Sequence, residues 1–116
     1  MQVIRLNLKV TSITNGNCLV FQLQGKILSE ADAEILKDAV AKLPIHNVIF
    51  DLKALTHTNS TGIAVFVKTM TKCRIKNGDL LICSPNKLIS TLFEITKMND
   101  VFSMYDSVES ALNYFK

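Results

Sequence analysis

The residues of this sequence best suited to chemistry are the hydroxyl, amide and imidazole side chains between Thr56 and Thr61. They follow an apolar stretch typical of a buried strand, and they precede apolar residues at helical spacing. Asparagine and serine commonly begin helices, because their side-chain oxygens accept hydrogen bonds from unpaired backbone N–H groups. This pattern predicts an exposed polar turn in which Asn59 and Ser60 stand at the start of a helix.

Catalysis by this turn is disfavoured, although Asp51, His57 and Ser60 supply the three residue types of a hydrolase triad. A triad drawn from a single turn lacks the separate elements that orient such groups. The sequence contains no glycine-rich phosphate loop, no HExxH motif and no nucleophile elbow. His46 is the only other histidine, so a metal site is not expected. We therefore predict a protein that is not an enzyme, with no catalytic residues, no metal and no cofactor.

Composition indicates one globular domain spanning residues 1–116, with 48% hydrophobic and 20% charged residues. The net charge of +3 is mild, and the lysines are spread along the chain. The densest basic group, Lys68, Lys72, Arg74 and Lys76, falls at helical spacing and predicts a solvated helix face. A nucleic-acid partner is therefore not expected.

Three cysteines, Cys18, Cys73 and Cys83, show no zinc-binding spacing. An odd number of cysteines with apolar neighbours suits a reducing cytoplasm, where each packs as a small hydrophobic residue; a reactive thiol is the alternative. The sequence shows no signal peptide, and no apolar run approaches the roughly 20 residues of a membrane span. We expect a cytoplasmic protein without membrane association, as a monomer or a weak dimer.

Hydrophobic periodicity predicts the element order ββαβαβαβα. The predicted strands cover residues 3–10, 18–24, 46–51, 80–83 and 101–105. Asn15-Gly16 predicts a hairpin between the first two strands, and Gly25 is expected to end the second. The helices are expected to begin at Ser29, at about Thr61, at Ser84-Pro85 and at Asp106.

Two of these helices carry predictions about their buried sides. The first is expected to reach Leu43 before Pro44 stops it. The third is expected to bury Leu88, Leu92 and Ile95, with Phe93 alongside. A hairpin followed by βα units in so short a chain predicts an α/β fold with a mixed sheet, the helices lying mainly on one face.

The turn and its flanks resemble the signature of the STAS domain, in particular that of the bacterial anti-sigma factor antagonists, or anti-anti-sigma factors. That signature places an acidic residue at a strand end and then Asp-Ser-[Ser/Thr]-Gly-[Leu/Ile]-Gly at a helix start. Asp51 corresponds to the acidic residue, and Asn59-Ser60-Thr61-Gly62-Ile63-Ala64 to the motif. The segments 23–27, 78–85 and 101–112 also resemble the family, so the likeness covers nearly the whole chain and implies a STAS fold.

The resemblance implies partner switching. In this family the unphosphorylated protein binds an anti-sigma factor that is also a serine kinase of the GHKL type, which frees the sigma factor. Phosphorylation releases the antagonist, and a PPM-type phosphatase restores it. The acceptor implied here is Ser60, with Thr61 as the alternative. The implied partner-binding residues are Thr58, Asn59, Ser60, Thr61, Gly62, Ile63 and Val65. The helix start at 84–87 is expected beside them, because successive βα loops lie at one end of a sheet.

Asn59 departs from the family pattern, which has aspartate before the serine. Asparagine keeps the size and the capping ability of aspartate but carries no charge. This departure keeps a second hypothesis open, in which the domain docks constitutively and is not switched by phosphorylation. Its partner would then be a lipid-transport ATPase or a scaffold of the stressosome type.

Overall fold

A computed structural model describes residues 7–116. The strands are β1 (Leu8–Asn15), β2 (Cys18–Ile27), β3 (Asn47–Thr58), β4 (Asp79–Cys83) and β5 (Ser103–Tyr105). The helices are α1 (Glu30–Ala39), α2 (Ser60–Ile75), α3 (Lys87–Ile95) and α4 (Val108–Tyr114), and a single 3₁₀ turn covers Met98–Asp100. Residues 3–6, the first part of the strand predicted over 3–10, lie outside the described residues.

The five strands form one sheet in the order β1-β2-β3-β4-β5. β1 pairs antiparallel with β2, and every later neighbour pairs in parallel. Parallel neighbours need a crossover connection, and α1, α2 and α3 lie in the three crossovers. The predicted mixed α/β fold, with its hairpin followed by βα units, is confirmed.

The hairpin turn lies within the segment predicted for it, Asn15-Gly16-Asn17. Asn15 is the last residue of β1 and pairs with Cys18, which leaves Gly16 and Asn17 as the two-residue loop. Gly16 has φ +61°. Glycine at the first loop position is the usual requirement of a type II′ turn, whose twist matches that of the flanking strands.

Gly25 does not end β2, as the sequence had suggested; the strand continues to Ile27. Gly25 has φ +109°, and a Cβ atom there would overlap the backbone carbonyl oxygen of Asn7. The same oxygen accepts a hydrogen bond from the Lys26 amide at 2.8 Å. Glycine therefore lets the chain before β1 cross close to β2 without interrupting the strand.

β3 is twice as long as the predicted strand over 46–51 because it contains irregularities that break the alternation. Its pairing with β2 starts at Leu19–Val48 and ends at Ile27–Thr58, which is eight residue steps on β2 and ten on β3. The two extra residues lie at register shifts on either side of Leu55. Such bulges bend and twist a strand, and they end the period-two pattern by which strands are recognised.

Side chains of the central strands alternate between two apolar layers. Val48, Phe50 and Leu52 face the larger core beneath α1, α2 and α3, where the rings of Phe50 and Phe66 lie 5.2 Å apart. Ile49, Leu81 and Cys83 face a smaller cluster under α4 that contains Ala111. Three helices thus share one face as predicted, and α4 covers part of the other.

Helix boundaries depart from the predictions at three places. α1 ends at Ala39, so Leu43 lies in the following turn and not in the helix. α3 is capped by Asn86, whose Oδ1 accepts from the Ile89 amide at 2.8 Å, and α4 is capped by Ser107. The predicted caps Ser84 and Asp106 instead contact each other, because Ser84 Oγ donates to the Asp106 carbonyl at 2.9 Å.

The predicted buried side of α3 is confirmed for Phe93, and Leu92 packs partly buried against the core, but the prediction is wrong for Leu88 and Ile95. Ile89 and Phe93 are its buried residues. Leu88 is 55% exposed and Ile95 is 74% exposed. Both sets fall at helical spacing, so periodicity alone could not choose between two overlapping apolar stripes.

The close approach at Gly25 predicts a stability difference between two glycines of positive φ. Gly25→Ala should lower the free energy of unfolding by about 2–4 kcal/mol, because the methyl group meets backbone atoms. Gly16→Ala is the control, since no atom lies within 4 Å of its added Cβ, and it should cost about 1 kcal/mol. Urea denaturation of both variants measures the difference, and equal losses would contradict this account of Gly25.

Candidate functional site

The candidate site is the junction between β3 and α2, where a single residue separates strand from helix. Thr58 is the last residue of β3, Asn59 is the N-cap and Ser60 is the first helical residue. The polar turn predicted from Thr56 onwards is therefore strand up to Thr58. The helix begins one residue earlier than expected, with Ser60 in its first turn.

Asn59 uses both ends of its side-chain amide. Oδ1 accepts a hydrogen bond from the Thr61 amide at 3.0 Å, which caps α2. Nδ2 donates to the carbonyl oxygen of Leu28 at 3.1 Å, in the segment between β2 and α1. A carboxylate at this position could accept from Thr61 but could not donate to Leu28. The asparagine that departs from the family pattern is thus the residue that fits both neighbours.

Ser60 is exposed, as a modification site requires. Thr61, the alternative acceptor, is half-buried, and its amide is bound by Asn59. Ala64, one turn further along the helix, is exposed and was not among the predicted partner-binding residues. The signal that could have found it was its position in the motif, one helical turn from Ser60 on the same side.

Gly62, Ile63 and Val65 are buried, so their side chains offer no surface to a partner. Ile63 and Val65 pack in the large core. A Cβ atom at Gly62 would overlap Thr58 Oγ1 and lie 3.1 Å from Ile27 Cγ2. These three residues set the position of the helix start against β2 and β3. The hydroxyl of Thr58 is buried as well, so the side chains available at the surface are those of Asn59, Ser60, Thr61 and Ala64.

The start of α3 lies beside the same end of β3. Asn86 Nδ2 donates to the carbonyls of Leu55 and Thr56 at 3.3 and 3.0 Å. β4 ends opposite Asp51, so among residues 7–116 no strand pairs with this part of β3 on that side, and Asn86 binds carbonyls left open there. The start of α3 therefore contacts β3 three residues before Asn59.

Asp51 and His57 do not form a catalytic group with Ser60. Asp51 lies within β3 and not at its end, and its Oδ1 accepts from the Lys53 amide at 3.0 Å. Thr56 Oγ1 donates its single proton to the Gly25 carbonyl at 3.1 Å. The 2.9 Å contact between His57 Nδ1 and Thr56 Oγ1 therefore requires the imidazole to donate. That geometry directs His57 Nδ1 to Thr56 and away from Ser60.

The three cysteines are buried and free. Burial raises the pKa of all three thiols; that of Cys73 rises to about 11, with the negative charge of Asp79 contributing. Burial, together with Asp51, raises the pKa of Cys83 to about 12. Reactivity requires the thiolate, so these values favour the interpretation as packed hydrophobic residues.

Two members of the basic group on α2 are engaged in the fold. Lys72 Nζ donates to the carbonyls of Val40 and Ala41 at 3.0 and 2.9 Å, just beyond the end of α1. Arg74 Nε pairs with Asp79 Oδ1 at 3.0 Å. Among residues 7–116 no three His, Cys, Asp or Glu side chains gather in a metal-binding group. None of the helices in this part of the chain is long and apolar enough to span a bilayer.

Asp32 is a buried carboxylate that binds Leu28, the residue whose carbonyl accepts from Asn59. Ser29 Oγ accepts from its amide at 3.1 Å, and its own Oδ2 accepts from the Leu28 amide at 2.9 Å. Burial alone would raise the pKa of Asp32, but hydrogen bonds from Leu28, Asn7 and Ser29 together hold it below its ordinary value. The sequence showed the capping pattern Ser29–Asp32, but not that the carboxylate would be buried.

Known proteins share both the sequence pattern and the fold of this chain. The family model described as the STAS domain matches residues 9–111. The chain belongs to the STAS domain family. This STAS chain is 28% identical over 112 residues to a Bordetella bronchiseptica protein described as the anti-sigma factor antagonist BtrV, covering 94% of this chain and 96% of that protein.

Solved structures of this family share the fold. The anti-sigma factor antagonist from Mycobacterium paratuberculosis superposes with a TM-score of 0.82 at 17% identity, with 92% of each chain covered. The Bacillus antagonist SpoIIAA, in its phosphorylated form, gives 0.71 at 13% identity, covering 94% of this STAS chain and 99% of SpoIIAA. The resemblance to anti-sigma factor antagonists seen in the sequence is confirmed.

The lowered pKa of Asp32 predicts a defined loss of stability in acid. The ionised carboxylate stabilises the folded state, so its full contribution is present above the ordinary aspartate pKa of about 3.9 and is lost as the pH falls below that value. Asp32→Asn should therefore be less stable than the native chain near neutral pH, and the difference should shrink below about pH 4.

Chemical denaturation at several pH values measures this difference. Asp38→Asn, which removes an exposed carboxylate from the same helix, controls for the loss of one charge. A native-minus-Asp32→Asn difference that stays constant between neutral pH and pH 3 would contradict the role given to Asp32.

Proposed function

We propose that this STAS chain is an anti-sigma factor antagonist that works by partner switching, with Ser60 as the phosphorylated residue. The observation that carries the proposal is the exposed Ser60 hydroxyl at the first position of a sixteen-residue helix, held at the end of the long strand β3. The family and its relatives support the class of partner, an anti-sigma factor. The GHKL-type serine kinase activity of that partner and its reversal by a PPM-type phosphatase belong to the proposal.

The local electrostatics favour a phosphate at this position. A helix N-terminus carries partial positive charge and unpaired N–H groups, which stabilise an anion. The first turn of α2 contains no acidic residue, so an added phosphate meets no like charge within that turn. Phosphorylation should therefore leave the fold intact.

The same charge disrupts a contact surface. A phosphoserine carries about −1.5 to −2 charges at neutral pH. The exposed and half-exposed side chains next to Ser60 at the start of α2 are uncharged, namely those of Asn59, Thr61 and Ala64. A partner complementary to a neutral surface supplies no counter-charge, and an unmatched charge in a dehydrated interface costs affinity.

The constitutive docking hypothesis rested on the missing carboxylate at position 59. Both amide ends of Asn59 are engaged within the chain, so asparagine is accounted for by its contacts with Thr61 and Leu28. Its presence therefore gives no independent reason to dispense with phosphorylation, and the binding measurement below distinguishes the two functions.

The acceptor assignment is tested with the GHKL-type kinase captured by the native chain from its host and then purified. Incubation with ATP should add a single phosphate, mapped to Ser60 by mass spectrometry, because this hydroxyl is exposed and that of Thr61 is half-buried. Ser60→Ala should accept none, whereas Thr61→Ala should be modified as the native chain is. A phosphate on Thr61 would contradict the assignment.

The switch is tested by the affinity of the same kinase for Ser60→Glu. The added charge should weaken binding at least about tenfold, with Ser60→Ala close to native. Thermal unfolding of Ser60→Glu should match that of the native chain, which would show that charge and not unfolding causes the loss. A stable complex that is indifferent to Ser60→Glu would support constitutive docking.

A further inference from the structure

Leu28 is an exposed apolar residue whose backbone is fixed on both sides. It follows the last residue of β2 and is 46% exposed. Its amide donates to Asp32 Oδ2 at 2.9 Å, and its carbonyl accepts from Asn59 Nδ2 at 3.1 Å. An exposed leucine in a loop is ordinarily free to move, whereas two hydrogen bonds to buried and half-buried side chains hold this one in place.

The position of this leucine links it to the phosphorylation site. Ile27 pairs with Thr58, so β2 and β3 end side by side, and Leu28 lies across from Asn59. Ser60 is the next residue of the chain after Asn59. The two exposed residues therefore belong to one surface and are joined by a single side-chain amide.

A preorganised residue of this kind increases affinity because less entropy is lost when the complex forms. A segment whose backbone is already held in place loses little backbone entropy on association, and apolar anchors at an interface centre contribute a large share of the affinity. Asn59, Ser60, Thr61 and Ala64, the exposed or half-exposed residues at the start of α2, carry small, uncharged side chains that offer little apolar area. Leu28 is the large apolar side chain beside them.

We propose that Leu28 is an anchor for the anti-sigma factor that binds at Ser60, and that Asn59 is the positioning residue that holds Leu28 beside the phosphorylation site. This inference rests on the proposed function, and it names the chemistry of the partner surface. The partner presents an apolar pocket to Leu28 next to an uncharged surface that receives the Ser60 hydroxyl. Phosphate then enters an interface whose main apolar contact lies immediately next to it.

Changing position 59 to the residue of the family motif should weaken the complex. Asn59→Asp restores the residue of the family motif, and a carboxylate still accepts from the Thr61 amide. It cannot donate to the Leu28 carbonyl, and it places an anionic oxygen against that carbonyl oxygen. Asn59→Asp should therefore release Leu28 and weaken the complex, although it completes the family pattern.

The test measures the dissociation constant of the purified kinase identified above for four chains: native, Leu28→Ala, Asn59→Asp and Ile75→Ala. Leu28→Ala should raise the dissociation constant about tenfold or more. Asn59→Asp should raise it about fivefold or more through loss of positioning. Ile75→Ala is the matched control: it removes a 72% exposed aliphatic side chain from the far end of α2, fifteen residues and about 22 Å from Ser60, and should change nothing.

A readout without the partner separates positioning from a direct contact by Asn59. Amide hydrogen exchange at Leu28 should be faster in Asn59→Asp than in the native chain, and unchanged in Ile75→Ala. The double variant Leu28→Ala/Asn59→Asp should lose less affinity than the product of the two single losses, because both changes remove the same anchor.

The outcomes distinguish this inference from the function on which it rests. Native-like binding by Leu28→Ala, with binding still lost in Ser60→Glu, would overturn the anchor and leave the switch standing. Unchanged exchange at Leu28 in Asn59→Asp, or fully independent losses in the double variant, would overturn the positioning role of Asn59. Absence of any complex with the native chain would overturn the proposed function and the anchor together.

Discussion

The structure depends on the direct connection of β3 to α2 through one residue. Asn59 is the whole of that connection, and it caps the helix while its amide nitrogen holds the carbonyl of Leu28. A longer loop could adjust to a shift of either element, whereas one residue transmits any such shift to Ser60. The backbone position of Ser60 therefore follows that of the sheet.

That rigidity originates in the irregular half of β3. Its inward residues change spacing after Leu52, because Leu55 and Thr58 each follow the previous inward residue by three positions and not two. The bulges turn the strand so that Thr58 ends beneath Gly62, with its hydroxyl buried and without a hydrogen-bond partner among the described residues. Only a glycine permits the helix to start so close to that side chain, which explains why the motif needs glycine two residues after Ser60.

The regular parts of the fold could be predicted from the sequence because their patterns are local. Alternation found β2, a continuous apolar run found β4, helical spacing found the buried side of α2, and the motif around Ser60 pointed to the family. The wrong predictions share one cause: several helix caps and buried faces were equally compatible with the local sequence, and tertiary contacts determined which of them formed. Asn86 caps α3 because open carbonyls of β3 lie beside it, and from that start Ile89, not Leu88, packs into the core. β3 was predicted too short because bulges remove the alternation that identifies a strand.

At the candidate site, too, the features set by local sequence could be predicted, and those set by contacts between distant segments could not. The exposure of Ser60 followed from its type and its place before an apolar helix. The burial of Gly62, Ile63 and Val65 also follows from that helix pattern, but the motif had suggested contact residues where the structure has supporting ones. The part that no local pattern could show is the contact between Asn59 and Leu28, which are 31 positions apart.

On the proposed function, phosphorylation of Ser60 would act through charge and not through a change of fold. The first turn of α2 is held by Asn59, whose side chain binds the Thr61 amide and whose carbonyl binds the Ile63 amide at 3.1 Å. A phosphate on Ser60 adds an anion at the positive end of this helix without displacing either bond. The modified chain would thus keep the scaffold that presents the site, and the difference between the two states would lie in what the surface offers to a partner. Reversal then requires only removal of the phosphate, with no refolding step.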